Sequence, residues 1–420
     1  MRLAACLFLV WGMQAHAGGL SPSVDTETTS VLPGKIRTLR YKQYFVTVND
    51  KFDADGTATP LGQSLNKKVT WNEVLAAQSG VKKDLLKASL QAQGIDINGE
   101  GPGSLTGEVN MNVNVKVPII GYGINDHHSI GLIVPVYTIK TSVATSFVTS
   151  AAGEQWYKSI ASPSTKAQIK EQLEGALSST LQTYGYDPLQ SEEVSALGDI
   201  RFVHKVLLGE IGDPLVGSHR LLWRNEIAAP TGRQPNADKV IDLATSDGQW
   251  DLGTGLNYEY SEHFKELNLP VSYALSAFYN YQMADSLERR IPIAEGSSIS
   301  PDKEKVDRKL GDQISLMASA SVGNGRDGSS LAVGYNYQYM FATKFDGSAY
   351  SSERYRWLED LNQDAELQSM LVVYSYSTVD KFLNKSFPVP LTWTLSYAQP
   401  LRGNNVNDTR TYYTELQFFF

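Results

Sequence analysis

Residues able to do chemistry are sparse in this chain. The histidines are His16, His127, His128, His204, His219 and His263, and the single cysteine is Cys6. One cysteine excludes both a disulfide framework and a thiolate metal site. His127 and His128 sit in an acidic segment, Asn125-Asp126-His127-His128, whose ordinary reading is a solvated turn rather than a metal site. No His-x-x-x-His, Gly-x-Ser-x-Gly or phosphate-loop pattern occurs. A hydrolase needs a histidine beside a nucleophile and an orienting group. His204 falls on an outward-facing strand phase and His219 at a turn, so neither is expected to serve. Asp53-Ala54-Asp55-Gly56 lacks the spacing and closing Glu of a calcium loop and reads as an Asx-rich turn. The sequence therefore predicts no enzyme, no cofactor and no metal. A net charge of −8 argues against a general nucleic-acid binder.

The elements that would carry any site are strands. Val109, Met111, Val113, Val115 and Val117 alternate with polar residues, as do Trp250, Leu252, Leu256, Tyr258 and Tyr260, then Leu331, Val333, Tyr335, Tyr337 and Tyr339, then Leu391, Trp393, Leu395 and Tyr397. Period-two alternation gives each strand one apolar and one polar face. A soluble sandwich buries the apolar face. A transmembrane barrel turns it toward lipid. Three features favour the barrel. The runs are longer than the ~5–6 residues of ordinary sheets and suit a tilted bilayer crossing of ~9–11. Twelve strands can be placed, near 36–46, 105–118, 129–141, 197–208, 219–229, 249–260, 269–283, 309–322, 329–341, 367–379, 388–399 and 409–420. Their connectors alternate long and short, with 47–104 and 142–196 the longest and 400–408 the shortest of the long series. Finally, Tyr412, Thr414, Leu416, Phe418 and Phe420 share one face of the last segment, which resembles the signal read by barrel assembly machinery.

The expected fold is thus all-β, a transmembrane antiparallel barrel of about twelve strands, with fourteen the alternative count, and with helical segments in two long loops. Residues 1–17 read as a signal peptide: Arg2, an apolar run from Leu3 to Met13, and Ala15-His16-Ala17 for cleavage. Residues 18–34 are expected to form a periplasmic extension and 35–420 the barrel. Thr70–Gln93 and Thr165–Leu181 carry helical spacing within the long loops. The architecture accounts for an odd composition. The chain holds 22 Tyr, 14 Phe and 7 Trp, yet its mean hydropathy is −0.26. Aromatics belong to lipid-facing girdles, while lumen, turns and loops supply polarity. Trp223, Trp250 and Trp393 fall on the lipid phase.

The lumen phase supplies the candidate site. Asp199, Arg201 and Lys205 on the fourth strand, Arg220, Arg224 and Glu226 on the fifth, and Asp251 and Glu259 on the sixth point charges of both signs into one sector. This is either a bracing salt-bridge ladder or a polar constriction. Strands seven to eleven offer Ser272, Ser276, Asn280, Gln313, Ser315, Ser319, Asn336, Thr392 and Ser396 instead.

Gly198-Asp199-Ile200, Ile227-Ala228-Ala229-Pro230-Thr231-Gly232, Asp247-Gly248-Gln249-Trp250-Asp251-Leu252-Gly253, and Tyr122-Gly123-Ile124-Asn125-Asp126 in the first short turn together resemble the outer-membrane barrels of the phenol meta-pathway degradation family. These are distant relatives of the long-chain fatty-acid transporters. The resemblance implies a monomeric, Sec-exported outer-membrane channel for hydrophobic or aromatic small molecules, embedded in outer-membrane lipid and lipopolysaccharide. Assembly would run through the strand ending at Phe420. The fatty-acid transporters carry a substantial N-terminal hatch and fourteen strands, so a hatch mechanism does not transfer. A porin for polar solutes is the alternative.

Overall fold

A computed structural model describes residues 20–76, 80–159, 171, 175–213, 216–264, 269–324 and 328–420. The expected signal segment 1–17 lies outside them, as does most of the expected helix 165–181.

Twelve antiparallel strands close into a barrel: β1 (Arg37–Phe52), β2 (Gly103–Asn125), β3 (His128–Ile133, continuing as Val136–Thr149), β4 (Glu192–Leu197, continuing as Ile200–Asp213), β5 (Gly217–Ala229), β6 (Asp251–Phe264), β7 (Leu269–Gln282), β8 (Gln313–Gly323), β9 (Ser329–Met340), β10 (Ala365–Ser377), β11 (Leu391–Asn404) and β12 (Val406–Phe419). Closure comes through β1, which pairs β2 from Arg37↔Tyr122 to Val48↔Met111 and β12 from Thr38↔Phe419 to Phe52↔Val406. The first strand is therefore a wall strand, despite its poor alternation. No described helix is long and apolar enough to cross a membrane.

Residues alternate across the wall as period two requires. On β12, Tyr412, Leu416 and Phe418 are exposed outward while Tyr413 and Glu415 are buried inward. On β6, Leu252, Leu256 and Tyr258 face out, with Asp251 and Asn257 buried inside. Trp223 and Trp250 are exposed on the outer phase, and Trp393 is half-buried there. The indole N–H of Trp223 donates to Thr254 Oγ1 at 2.9 Å.

Strand β2 departs from the expected phase. Val109, Met111, Val115 and Val117 are buried toward the interior, while Glu108, Asn112 and Lys116 are exposed outside. The reason is the loop filling. Val109 and Met111, with Val113 beside them, pack against Leu61, Leu65, Leu181, Tyr186, Ile241, Leu243 and Ile299, which all come from the long connectors. Only at the far end, with Ile120, Tyr122 and Ile124, does β2 show an outward apolar stripe.

The long connectors build a cap. Helices α1 (Trp71–Ala76), α2 (Val81–Ala92) and α3 (Ala151–Ser159) share a core of Trp71, Leu75, Leu90, Trp156 and Tyr157 with the inward Leu105 and Phe147 of β2 and β3. The described part of the second expected helix is α4 (Ala176–Thr183). A three-stranded sheet of Asp285–Arg290, Lys303–Lys309 and Lys344–Asp346 carries α5 (Ser352–Asp360) on Ile291, Val306, Phe345, Tyr355 and Leu358. The connector expected at 400–408 shrinks to a tight turn at Asn405, which adopts φ 52° because both flanking strands continue to its edge. Short turns occupy the opposite rim, one of them holding the short helix α6 (Val379–Leu383).

Candidate functional site

The lumen is crossed lengthwise by residues 20–34, expected as an outside extension. At the long-loop rim Leu20 packs with Ala365, Leu367 and Val406. At mid-height Val24 packs with Met317, Ala332, Leu371, Val373 and Ala398, and its carbonyl accepts from Ser396 Oγ at 2.7 Å. At the short-turn rim Gly34 N donates to Asp126 Oδ1 at 2.9 Å and Lys35 N to Gly123 O at 2.7 Å. We call this segment the strap. The physical reason for the correction is charge. The strap carries Asp25 and Glu27, and cations stand in the wall to meet them.

Two anchors hold it. Lys42 of β1 bonds Asp25, whose other oxygen accepts from the Tyr413 hydroxyl at 2.5 Å. Lys42 also lies 5.3 Å from the Tyr413 ring centroid, and Tyr413 stacks on Tyr44 at 5.4 Å. Arg40 beside it is held by Glu415 at 2.6 and 3.0 Å. On the other side Arg224 donates to Glu27 at 2.5 Å and to Glu226 at 2.6 Å, and Arg201 donates to Glu226 at 3.0 Å. Asn257 donates to Thr28 O at 3.2 Å. Thr29 donates to Glu259 through its backbone at 3.0 Å and its hydroxyl at 2.8 Å.

The structure thus brings Arg201, Lys205, Arg224, Glu226 and Glu259 to one lumenal sector. Lys205 stands directly across from Arg224 in the pairing of β4 with β5. Arg220 pairs with Glu210 at 3.6 Å, in the same sector. Asp251 faces the lumen at the long-loop end of β6. Asp199 plays another part. Its Oδ1 accepts from Gly232 N at 3.2 Å, while Thr231 Oγ1 donates to Gly198 O at 2.8 Å. The separate motifs Gly198-Asp199 and Pro230-Thr231-Gly232 are therefore two sides of one rim clasp.

Sequence reading missed Arg40, Lys42, Tyr413 and Glu415, together with the strap itself. Glycines on the lumen phase were the available signal, since a strand glycine often marks close approach of another backbone. A Cβ on Gly123 would lie 2.0 Å from Pro33 O, where the strap leaves. A Cβ on Gly253 would lie 2.4 Å from the Phe278 ring, which itself sits 5.0 Å from the Arg224 guanidinium.

The opposite sector is mild, as expected. Asn336, Ser369, Ser396 and Thr394 are buried on strands β9 to β11, with apolar Leu371 and Val373 between them. Beyond the strap's outer end lies a cavity of ≈ 290 Å³ lined by Leu20, Tyr186, Ile241, Arg289, Ile299 and Leu310, among others. No group of three or more metal-ligating side chains occurs among the described residues. His128 Nδ1 lies 3.3 Å from His204 Nε2 and His219 Nδ1 lies 2.7 Å from the Tyr258 hydroxyl, so these histidines meet other rings rather than a nucleophile.

No protein-family model matches the chain, and no curated protein matches it. Solved structures do. The chain is similar to an outer membrane channel from Pseudomonas putida F1 at 12% identity and a TM-score of 0.50, covering 95% of this chain and 100% of that one. It also aligns with the Pseudomonas putida toluene transporter TodX at 10% identity and a TM-score of 0.32, over 92% of this chain and 90% of that one. The first likeness gives the fold: an outer-membrane β-barrel.

Proposed function

We propose that the chain is an outer-membrane channel that passes hydrophobic or aromatic small molecules passively, with the strap as its closure. The carrying observation is the lumen. One wall is charged, the other is small and apolar, and a segment of the same chain fills the space between them. A polar porin keeps a continuous water path. Here the strap runs the length of the lumen and an apolar cluster of loop residues fills its mouth.

The long-loop rim is taken as the cell surface and the short-turn rim as the periplasmic side, the asymmetry usual for such barrels. Val81 and Leu85 stay exposed on α2, at 73% and 65%, and offer a first apolar contact for a solute. The cavity beside Leu20 then holds it, and movement of the strap opens the path along Met317, Leu371 and Val373. We place the outward aromatic girdle in contact with outer-membrane lipid, and the strand ending at Phe420 in contact with the assembly machinery. Two neighbours' names fit the reading: one is called an outer membrane channel and another a toluene transporter.

The charged sector favours a second reading, a porin for polar solutes. Planar-bilayer recording separates the two. The hydrophobe channel predicts a pore mostly closed to KCl, with brief openings. Steady ohmic conductance, shifted by Arg201→Glu or Arg224→Glu, would support the porin and remove the first reading.

A further inference from the structure

The strap's composition at mid-lumen points to the chemistry of what it displaces. Val24 and Asp25 are adjacent yet serve opposite walls. The Val24 side chain enters the apolar sector of Met317, Ala332, Leu371, Val373 and Ala398. The Asp25 carboxylate enters the cationic corner made by Lys42 and the Tyr413 hydroxyl. Glu27 repeats the pattern on Arg224, whose cross-strand neighbour is Lys205. Resting on the channel reading above, we propose that the cargo is an amphipathic organic anion, a compact apolar body bearing one carboxylate, sulfonate or phosphate. Val24 and Asp25 stand in its place while the channel is closed.

Three observations carry this. First, the wall acids beside Lys42 and Arg224 are already claimed. Glu415 accepts both Arg40 bonds, and Glu226 accepts from Arg201 and Arg224. When the strap leaves, Lys42 keeps only Glu415 at 3.3 Å, which Arg40 also engages, and Arg224 keeps only Glu226, which Arg201 also engages, so each wall acid is left facing two cations. A partly desolvated cation is costly to leave alone, so an anion is favoured there. Second, the strap meets the acidic Glu259 through the neutral donor Thr29, not through a cation. The strap therefore carries negative charge only, and its departure leaves uncompensated positive charge at two anchors against one freed acid, Glu259. Third, the anionic and apolar contacts of the strap lie on neighbouring residues. One small molecule can make both, whereas a hydrocarbon could use only the Val24 side and an inorganic anion only the Lys42 side.

The test uses the full-length protein in planar bilayers, with octanesulfonate and octyltrimethylammonium as probes. They share an apolar chain and differ in permanent charge. The expected result is that octanesulfonate modulates the channel current at concentrations at least about tenfold lower than octyltrimethylammonium. Lys42→Gln with Arg224→Gln should erase that preference, and Lys42→Arg should keep it. Heat-modifiable migration reports whether each variant is a folded barrel, and Lys205→Gln provides a second, milder variant if the pair fails to fold. Equal potency of the two probes, or preference for the cation, overturns the proposal. Accelerated uptake of neutral naphthalene by cells expressing the channel, together with equal probe potency, would leave the channel reading standing and sink this inference alone. Absence of any effect of naphthalene or either probe would sink both.

Discussion

Loosening the strap should open the pore, and the structure sets the scale. Asp25→Asn with Glu27→Gln removes both carboxylates while keeping side-chain size. Lys42 is 6% exposed and Asp25 34%, while Arg224 and Glu27 are 20% and 28% exposed. These are half-sheltered pairs. Removing one partner of a fully buried pair costs ~3–5 kcal/mol, and exposed pairs are worth under ~1 kcal/mol. Discounted for lumenal water, each anchor is worth about 1–2 kcal/mol. The two together give about 2–4 kcal/mol, or roughly a 30- to 1,000-fold larger strap-released population. Single-channel recording reads this directly as open probability. The same reasoning predicts a salt effect in the native protein. At ~1 M KCl the screening length falls to ~3 Å, so openings should become more frequent than at ~0.1 M. The double variant should lose most of that salt dependence. Open probability unchanged within about twofold in the double variant would refute the claim that charge holds the strap in place.

Other outcomes follow from single contacts. Gly253→Val should impair barrel formation, seen as loss of the heat-modifiable band, because its Cβ meets the Phe278 ring at 2.4 Å; adding Phe278→Ala should restore it. Leu90→Ala should cost the loop core ~2–4 kcal/mol, since Leu90 is fully buried among Trp71, Trp156 and Phe147; limited proteolysis of residues 70–100 should speed up while the barrel stays intact. Burial pushes the Asp247 carboxyl in the cap up to about 6. Its folded pKa lies above the unfolded one, so the cap is most stable below the unfolded value and loses stability as pH rises through about 6. Asp247→Asn should therefore abolish the loss, of about 2–3 kcal/mol at most, that hydrogen exchange of the cap strands shows in the native chain between pH 4 and pH 7.5.

Much of the wall was legible because a barrel repeats one local rule. Period-two alternation and the long–short connector series gave the twelve strands, and the terminal Tyr412–Phe420 face its outward side. The rule failed where tertiary packing changed what counts as the inside. The valines of β2 look like a lipid face, yet loop residues such as Leu61, Tyr186 and Ile241 bury them from within. No pattern local to β2 announces a partner that lies in another connector. Similarly, the hairpin at Asn405 was blurred because Asp408, Thr409 and Arg410 are polar on both phases.

The charged sector was found from phase alone, since Arg201, Arg224, Glu226 and Glu259 alternate with apolar residues on their strands. Its purpose was not. Half of each anchor comes from the strap, and Asp25 and Glu27 sit in a stretch without periodicity, Ser21 to Pro33. Lys42 and Arg40 were passed over for the same reason: β1 alternates poorly, because its inward phase serves the strap rather than water. The glycines at 121 and 123, where an added Cβ would meet Leu32 and Pro33, were the readable trace of the strap's close approach.

The central claim is that this barrel passes hydrophobic molecules and excludes polar ones. Its most direct test is paired uptake in cells whose other outer-membrane routes for both solutes are deleted, with and without the chain expressed. Labelled naphthalene and labelled arabinose would be followed in the same culture. The account predicts saturable acceleration of naphthalene entry, raised further by Asp25→Asn with Glu27→Gln, and arabinose entry no faster than in cells lacking the chain. Faster arabinose entry with unchanged naphthalene entry would contradict it.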